Sequence, residues 1–340
     1  MVSVGSNVAT TEYNNYVSRV NTILGIGSGK TGYGVAMANT GQAVAGTTEI
    51  SAAQWAGLRT DINLIYSHQS NTTTGVGEIV SGNIIGADTS NTSAGNTVIR
   101  DGSDNFSIVN PANNKGVNDF AGLLDSVEVD PETVVASYLS VESKISPATS
   151  GAIYTSSWSS SISGVVLVTF AGGYVCKNNA GANVTATTND HRRHFFNTGG
   201  EIRLSSTMIP GYSGTKSADW ATMLSNTGTI TLKNSSTTTT GTASITSGFG
   251  NEDLTTSYQQ VSRKFGSDSL YAENNFTINA KLDGSGNILF QFVWSDADVG
   301  DPGTDEPVNG DIGMIVDQVR CTGGPIAIQD PVYSMSQNIQ

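Results

Sequence analysis

The densest acidic stretch of the sequence has aspartates at alternate positions, as calcium-binding loops do. Its first members are Asp296, Asp298 and Asp301. Calcium takes about six to eight oxygen ligands, which loop aspartates supply. The spacing departs from an EF-hand, because glycine stands at the fifth position and no acid at the twelfth. We therefore predict no cofactor. Calcium at these aspartates is the one candidate ligand, and an exposed, solvated loop is the alternative explanation of the same residues.

Two other short motifs resemble known ligand sites. His191 and His194 are spaced so that they could share a zinc or another transition metal ion. Arg192 and Arg193 lie between them and disfavour a cation, so a polar loop whose arginines pair with carboxylates such as Asp190 or Glu201 explains these residues better.

The run 29–31, Gly-Lys-Thr, resembles the end of a phosphate-binding loop. Such a loop needs a glycine five residues earlier, where this chain has Leu24, and it follows a strand rather than a helix. The glycines of residues 25–34 are better explained as turns with positive φ. Because no nucleophile elbow or zinc-protease motif is present either, we predict a protein that is not an enzyme. The carboxylate pair of a glycoside hydrolase is a spatial arrangement that leaves no spacing signature in a sequence. The sequence therefore leaves glycoside hydrolysis open.

The first 70 residues carry the strongest helical patterns. Ser51 and Gln54 form a capping box that predicts a helix start. A second helix precedes it, with Gly25 at the position where a left-handed glycine would end it. Asp61 lies on the side opposite the apolar stripe, so we expect it to face solvent. The two stripes offer more apolar surface than a hairpin covers, which predicts an interface. The interface residues are Tyr13, Tyr16, Val20, Trp55, Leu58, Ile62 and Ile65.

The second half of the chain has the pattern of an all-β protein. Residues 276–282 and 288–294 alternate between apolar and polar types around a glycine-rich turn, which predicts a hairpin. Val165 to Phe170 indicates a strand buried on both faces, and Phe195–Phe196 a further strand. One short helix is expected, capped by Ser217. About seven such strands over residues 150–325 point to an antiparallel sandwich.

Composition and charge narrow the class of function. The formal charge is −13 with only 16 lysines and arginines, which argues against nucleic-acid binding. The longest apolar run, Val165 to Ala171, is too short to cross a bilayer, so we expect no membrane insertion. Cys176 and Cys321 could pair or could be two buried hydrophobic side chains, and the sequence leaves both open.

Together these patterns predict a mainly β protein with a small helical N-terminal part. We expect an α-helical hairpin head over residues 1–70, an extended arm with a short helix over 71–150, and a C-terminal antiparallel β-sandwich over 151–340. The arm is inferred from the turn-rich chemistry of residues 70–115. A helix is expected to start at Asp130–Pro131, where proline occupies the first helical position.

Three blocks of the sequence resemble virion structural proteins of marine and cyanobacterial tailed phages. The first runs over residues 13–34, from Tyr-Asn-Asn to Gly-Tyr-Gly, with 54–61 and 66–69 continuing it. The second is 190–203, and the third, weaker block is 219–225. They cover about a third of the chain. The resemblance implies a particle component, often called tail or fibre, and carries no chemistry with it.

The leading hypothesis is therefore a non-enzymatic structural component of a phage virion, in the tail, baseplate or fibre apparatus. Its partners would be other virion proteins and further copies of itself, with a trimer as the first expectation. A capsid decoration or neck protein is the nearest alternative. A glycan-binding or glycan-degrading β-sandwich protein is the alternative from another class.

Overall fold

The computed structural model describes residues 10–39, 41–43, 50–72, 97–100, 106–109, 117–148, 152–153, 157–268, 270–297 and 306–339. Within these residues the chain is mostly β, with a small helical N-terminal part. The α-helices are α1 (Thr10–Leu24), α2 (Ala52–Ser70), α3 (Val117–Glu128), α4 (Thr188–Asn197) and α5 (Thr215–Thr227). The strands are β1 (Thr97–Arg100), β2 (Phe106–Val109), β3 (Leu139–Ile145), β4 (Ala152–Ile153), β5 (Ser161–Thr169), β6 (Val175–Lys177), β7 (Asn183–Thr185), β8 (Glu201–Met208), β9 (Ile230–Leu232), β10 (Thr237–Thr239), β11 (Ser244–Ile245), β12 (Gln259–Phe265), β13 (Asn275–Leu282), β14 (Ile288–Ser295), β15 (Ile312–Cys321) and β16 (Val332–Ile339).

The chain divides into two compact units, and both are discontinuous in sequence. The first unit consists of Met1–Leu139, Gly172–Thr198 and Cys321–Ile328. The second consists of Ser140–Ala171, Gly199–Arg320 and Gln329–Gln340. The units therefore cross the boundaries that the sequence predicted at residues 70 and 150. Two segments from the β-rich half belong with the helical N-terminal part.

The core of the first unit is built from the two apolar stripes that the sequence predicted. Ser51 and Gln54 form the predicted capping box at the start of α2. The rings of Tyr13 and Trp55 meet edge to face with centroids 5.3 Å apart, a favoured aromatic geometry. Side chains from α3 and from the segment 321–328, including Leu124 and Ile326, complete the cluster. The apolar faces of α1 and α2 are therefore covered inside the unit.

Several local predictions for this part of the chain are wrong. The helix expected at Asp130–Pro131 is a turn followed by one short 3-10 turn, Ala136–Tyr138. Gly25 does not adopt positive φ. Glycine is required there for another reason, because a Cβ would meet the Lys177 carbonyl oxygen at 2.2 Å. Residues 73–96, 101–105, 110–116 and 149–150 of the extended arm lie outside the described residues. Within the described part, β1 and β2 pair antiparallel.

The second unit contains two six-stranded sheets. One has the order β10-β9-β8-β15-β3 with β4 beside β15, and the other has the order β11-β12-β13-β14-β5-β16. The predicted hairpin is confirmed as β13 and β14, paired in continuous antiparallel register. Its turn is fixed by the Asp283 carboxylate, which accepts the backbone N–H groups of Ser285 at 2.8 Å and Asn287 at 2.9 Å.

In strands β14 and β5 of the second sheet, alternate residues along the strand are buried in the core. Ile288, Phe290, Phe292 and Trp294 of β14 are fully buried. In β5 only every second residue is fully buried, so the prediction of a strand buried on both faces is wrong. An antiparallel strand with one core face needs only that alternation. The indole N–H of Trp294 donates to Ser206 Oγ of β8 at 3.0 Å, which links the two sheets.

The helices within the β-rich half also differ from prediction. Phe195 and Phe196 lie in α4 rather than in a strand. Helix α5 begins after Gly214, so Ser217 is not its N-cap. Instead the Ser217 hydroxyl accepts the backbone N–H of Asn309 at 2.8 Å.

We expect Trp55→Ala to lower the free energy of unfolding of the isolated chain by about 3–5 kcal/mol, the usual cost of removing a buried aromatic side chain. Trp55 is only 2% exposed. The matched control is Val129→Ala, which removes a side chain that is 85% exposed and should change stability by no more than about 0.5 kcal/mol. Urea titration monitored by circular dichroism measures both. A Trp55→Ala variant as stable as the control would contradict the placement of Trp55 in the core.

Candidate functional site

The seven residues predicted to form an interface all lie in the core of the first unit. Each is at most 3% exposed within the single chain. The sequence pattern correctly marked them as packing residues, but the surface that they were expected to present is covered by the chain itself. These side chains therefore do not provide the uncovered apolar surface from which a partner was predicted. The seven are Tyr13, Tyr16, Val20, Trp55, Leu58, Ile62 and Ile65.

The glycine-rich loop after α1 is the most constrained feature of the first unit. Four glycines at positions 27, 29, 32 and 34 have φ between +53° and +100°, as the sequence predicted. The chain then returns alongside the end of α1. There the backbone N–H of Tyr33 donates to the Ile23 carbonyl at 2.8 Å, and the backbone N–H of Val35 donates to the Leu24 carbonyl at 2.9 Å. The loop is therefore folded back on the helix that precedes it.

Helix α4 binds this loop from a distant part of the sequence. The Asn197 side-chain nitrogen lies 2.9 Å from the Thr31 carbonyl oxygen and 3.2 Å from those of Gly29 and Gly32. The Arg193 guanidinium donates to the carbonyl of Ile26 and, at 2.8 Å, to the carboxylate of Asp190. Backbone carbonyls removed from water need such donors. We call this arrangement, α4 with residues 26–34, the loop clamp.

His194 completes the loop clamp as a neutral imidazole. Its Nε2 lies 2.9 Å from the Ile26 carbonyl oxygen, which can only accept, so Nε2 carries the proton. Nδ1 then accepts the hydroxyl of Tyr174. Burial lowers the pKa of His194 to about 4, and the nearby Arg193 charge acts in the same direction. Both ring nitrogens are therefore engaged within the protein.

The metal sites suggested by the sequence gain no support from these contacts. The part of the chain that the structure describes contains no group of three or more His, Cys, Asp or Glu side chains placed to hold a metal ion. In the acidic stretch, Asp298 and Asp301 lie outside the described residues. Asp296 is buried, and its carboxylate lies 2.8 Å from the ammonium nitrogen of Lys216. The first member of the calcium candidate is thus an ion-pair partner rather than a solvated loop residue.

Asp61 is a second polar residue whose role the sequence did not reveal. It was expected to face solvent, but its residue is only 1% exposed. Its carboxylate accepts the backbone N–H groups of Ala38 at 2.7 Å and Asn39 at 2.8 Å. Burial raises the pKa of Asp61, and these donors act in the opposite direction. The carboxylate fixes the chain that leads from the glycine-rich loop towards α2.

The two cysteines are both buried and both free, so the disulfide left open by the sequence does not form here. Cys321 Sγ lies 3.9 Å from Nδ1 of His68, and both belong to the first unit. Burial lowers the pKa of His68 to about 4.

The residues of the loop clamp were missed because their helix was predicted as a polar loop followed by a strand at Phe195–Phe196. A signal for it is present in the sequence. Thr187 and Asp190 form a capping box, with the Thr187 hydroxyl accepting the Asp190 N–H at 3.2 Å and the Asp190 carboxylate accepting the Thr187 N–H at 2.8 Å. This pattern predicts a helix start as clearly as the one at Ser51. Helix α4 contacts a loop more than 150 residues earlier in the chain, and no local sequence pattern indicates that contact.

The chain matches no protein-family model, no curated protein and no solved structure. Among the described residues, none of the helices combines the length and the apolar character needed to cross a bilayer.

The loop clamp predicts different costs for two glycine substitutions in the same loop. Gly29→Ala should cost about 1–2 kcal/mol, the price of a left-handed conformation alone, because φ is +53° and a Cβ would meet nothing within 4 Å. Gly34→Ala should cost about 1–3 kcal/mol more, because its Cβ would also lie 2.1 Å from Nδ1 of His194. Urea unfolding measures both, and equal losses would contradict the contact with α4.

The buried histidines predict a loss of stability in mild acid. His68 and His194 have lowered pKa values in the folded state, so the unfolded state binds more protons between about pH 6.5 and pH 4. Stability should therefore fall as the pH drops through this window, by about 2 kcal/mol per histidine at pH 5. Urea midpoints from pH 7.5 to pH 5 test this. His68→Gln should remove about half of the pH dependence of stability that the two histidines cause. If the stability of His68→Gln falls as steeply with pH as that of wild type, His68 does not contribute in this way.

Proposed function

We propose that this chain is a non-enzymatic structural component of a tailed-phage virion, in the tail, baseplate or fibre apparatus. One observation carries the proposal. The first block that resembles phage virion proteins, residues 13–34 with 54–61 and 66–69, and most of the second, residues 190–198 of 190–203, belong to the first unit. The end of the second block and the weaker third block, 219–225, belong to the second unit. Segments matched by chance would have no reason to fold together. Segments of one inherited structural module would, and here the loop clamp joins the first block to the second.

The alternative of a glycan-active β-sandwich protein rested on the acidic stretch as a calcium site. That basis is weakened, because Asp296 lies in an ion pair with Lys216. A capsid decoration or neck protein shares every feature described here except the place on the particle. Particle reconstruction with the protein located at residue resolution separates these places.

We infer that the two six-stranded sheets of the second unit form the two layers of a β-sandwich, and that α1 and α2 form the hairpin of a helical head. The first inference is supported by the buried alternate residues of β14 and by the Trp294–Ser206 hydrogen bond between sheets. The second is supported by the shared Tyr13–Trp55 contact. The head would include α3, α4 and segment 321–328 as well.

In this proposal the first unit attaches the protein to the particle, and the second faces outward or meets neighbouring subunits. The attachment surface must differ from the predicted stripes, because those are buried. Exposed apolar side chains are the better candidates, and the first unit has Val129 at 85% and Val175 at 59% exposure. Self-association, with a trimer as the first expectation, stays part of the proposal.

The experiment compares matched pairs of exposed valines in the two units. Val129→Asp with Val175→Asp alters the first unit, and Val141→Asp with Val332→Asp alters residues of the second that are 58% and 65% exposed. Each protein is added to phage particles that lack it, and the fraction that sediments with the particles is measured. We expect wild type and the second pair to incorporate, and the first pair to lose most of its incorporation, because interface anchors typically contribute about 2 kcal/mol or more.

Urea midpoints close to wild type establish that both double variants are folded. Incorporation by the first pair but not by the second would reverse the assignment of units. Failure of the wild-type protein to appear in purified particles by mass spectrometry would refute the virion role itself.

A further inference from the structure

The second unit contains a lysine and an aspartate that are both removed from solvent and in direct contact. Lys216 lies in the first turn of α5, and Asp296 follows directly after β14. Their side chains are 0% and 1% exposed, and Lys216 Nζ lies 2.8 Å from Asp296 Oδ1. By contrast, the ion pair of Lys144 with Asp330 in the same unit has side chains that are 17% and 43% exposed.

The lysine is held in place by its neighbours. The Glu306 carboxylate oxygen Oε1 accepts the backbone N–H of Lys216 at 2.8 Å and the hydroxyl of Tyr271 at 2.8 Å. The Tyr271 ring centroid lies 5.8 Å from Lys216 Nζ. These contacts fix the first turn of α5 against the residues around it. The amine therefore has little freedom to leave the aspartate.

The energetics of such a pair favour a neutral product. Two charges in a dry interior carry a desolvation cost that their attraction often fails to offset. Transfer of one proton from the ammonium to the carboxylate gives an uncharged amine beside an uncharged carboxylic acid. Holding a nucleophile in contact with an acyl carbon can be equivalent to an effective concentration of about 10⁵ M or more. The pair thus holds the two reactants of an amide bond in place.

We propose that Lys216 and Asp296 form an intramolecular isopeptide bond. In this step the Nζ lone pair attacks Cγ of the protonated aspartate, and the new N–C bond forms. The C–OH bond then breaks, and the hydroxyl leaves with a proton from Nζ as one molecule of water. No oxidation or reduction occurs, and no further reactant is required. The product is a neutral amide that joins α5 to the end of β14.

The bond would add a covalent constraint to the second unit. A cross-link between positions so far apart in sequence restricts the unfolded chain and raises the stability of the folded one. This inference does not rest on the proposed function, because it concerns only the chemistry of one buried pair.

The test is the intact mass of the purified full-length protein under denaturing conditions. We expect a mass lower than that of the sequence by one water molecule. Trypsin should then yield the peptide Leu204–Lys233, uncleaved at Lys216, covalently joined to Leu282–Arg320. Fragmentation of this product should locate the link at Lys216 and Asp296. Wild-type protein that is folded but has the full sequence mass would overturn the proposal.

Variants decide whether the dehydration belongs to this pair. Lys216→Arg and Asp296→Ala should each restore the mass expected for their sequence, and this reading is valid even where a variant folds poorly. Lys144→Arg is the matched control, because Lys144 contacts Glu142 at 2.7 Å in a more exposed ion pair. It should keep the loss of one water. A loss that persists in Lys216→Arg would place the dehydration elsewhere and refute the isopeptide bond.

Discussion

The requirement that buried backbone carbonyls find donors governs the first unit. The glycine-rich loop turns several carbonyl oxygens towards α4, and backbone N–H groups of the loop itself do not reach them. Arg193, His194 and Asn197 supply the missing donors from one face of a single helix. Without that helix, the oxygens would be left unpaired at a cost of about 1–3 kcal/mol each. These contacts hold the loop against α4, and the loop's own backbone N–H groups, such as that of Tyr33, hold its return beside α1.

Local signals in the sequence predicted local structure well. The capping box at Ser51, the alternating hairpin around Asp283 and the positive-φ glycines of the first loop are all found. Each of these features is determined by residues within about twenty positions of one another, so its physical cause is visible in the sequence. The error at Phe195–Phe196 was of another kind, because the apolar pair was interpreted alone and the capping box at Thr187, a local helix signal, was overlooked.

The candidate site was harder to predict, because its parts, residues 26–34 and α4, are more than 150 residues apart in the chain. The stripes of α1 and α2 indicated burial, but the sequence could not say whether a partner or the chain itself would cover them. Ile326 and α3 cover them. The helical pattern predicts Asp61 to be a surface residue. Only the tertiary structure shows that its carboxylate accepts the backbone N–H groups of Ala38 and Asn39. Periodicity reports that a face is buried, and only the tertiary structure identifies its neighbour.

We infer that α4 and the N-terminal helices form one cooperative unit joined through the loop clamp. Native-state hydrogen exchange measures this cooperativity, because amides that open together share one opening free energy. We expect the same opening free energy for the protected amides of α1, α2 and α4, and a parallel decrease in all three helices in Asn197→Ala. Exchange of α4 at a separate and lower free energy, with α1 and α2 unaffected by Asn197→Ala, would contradict it.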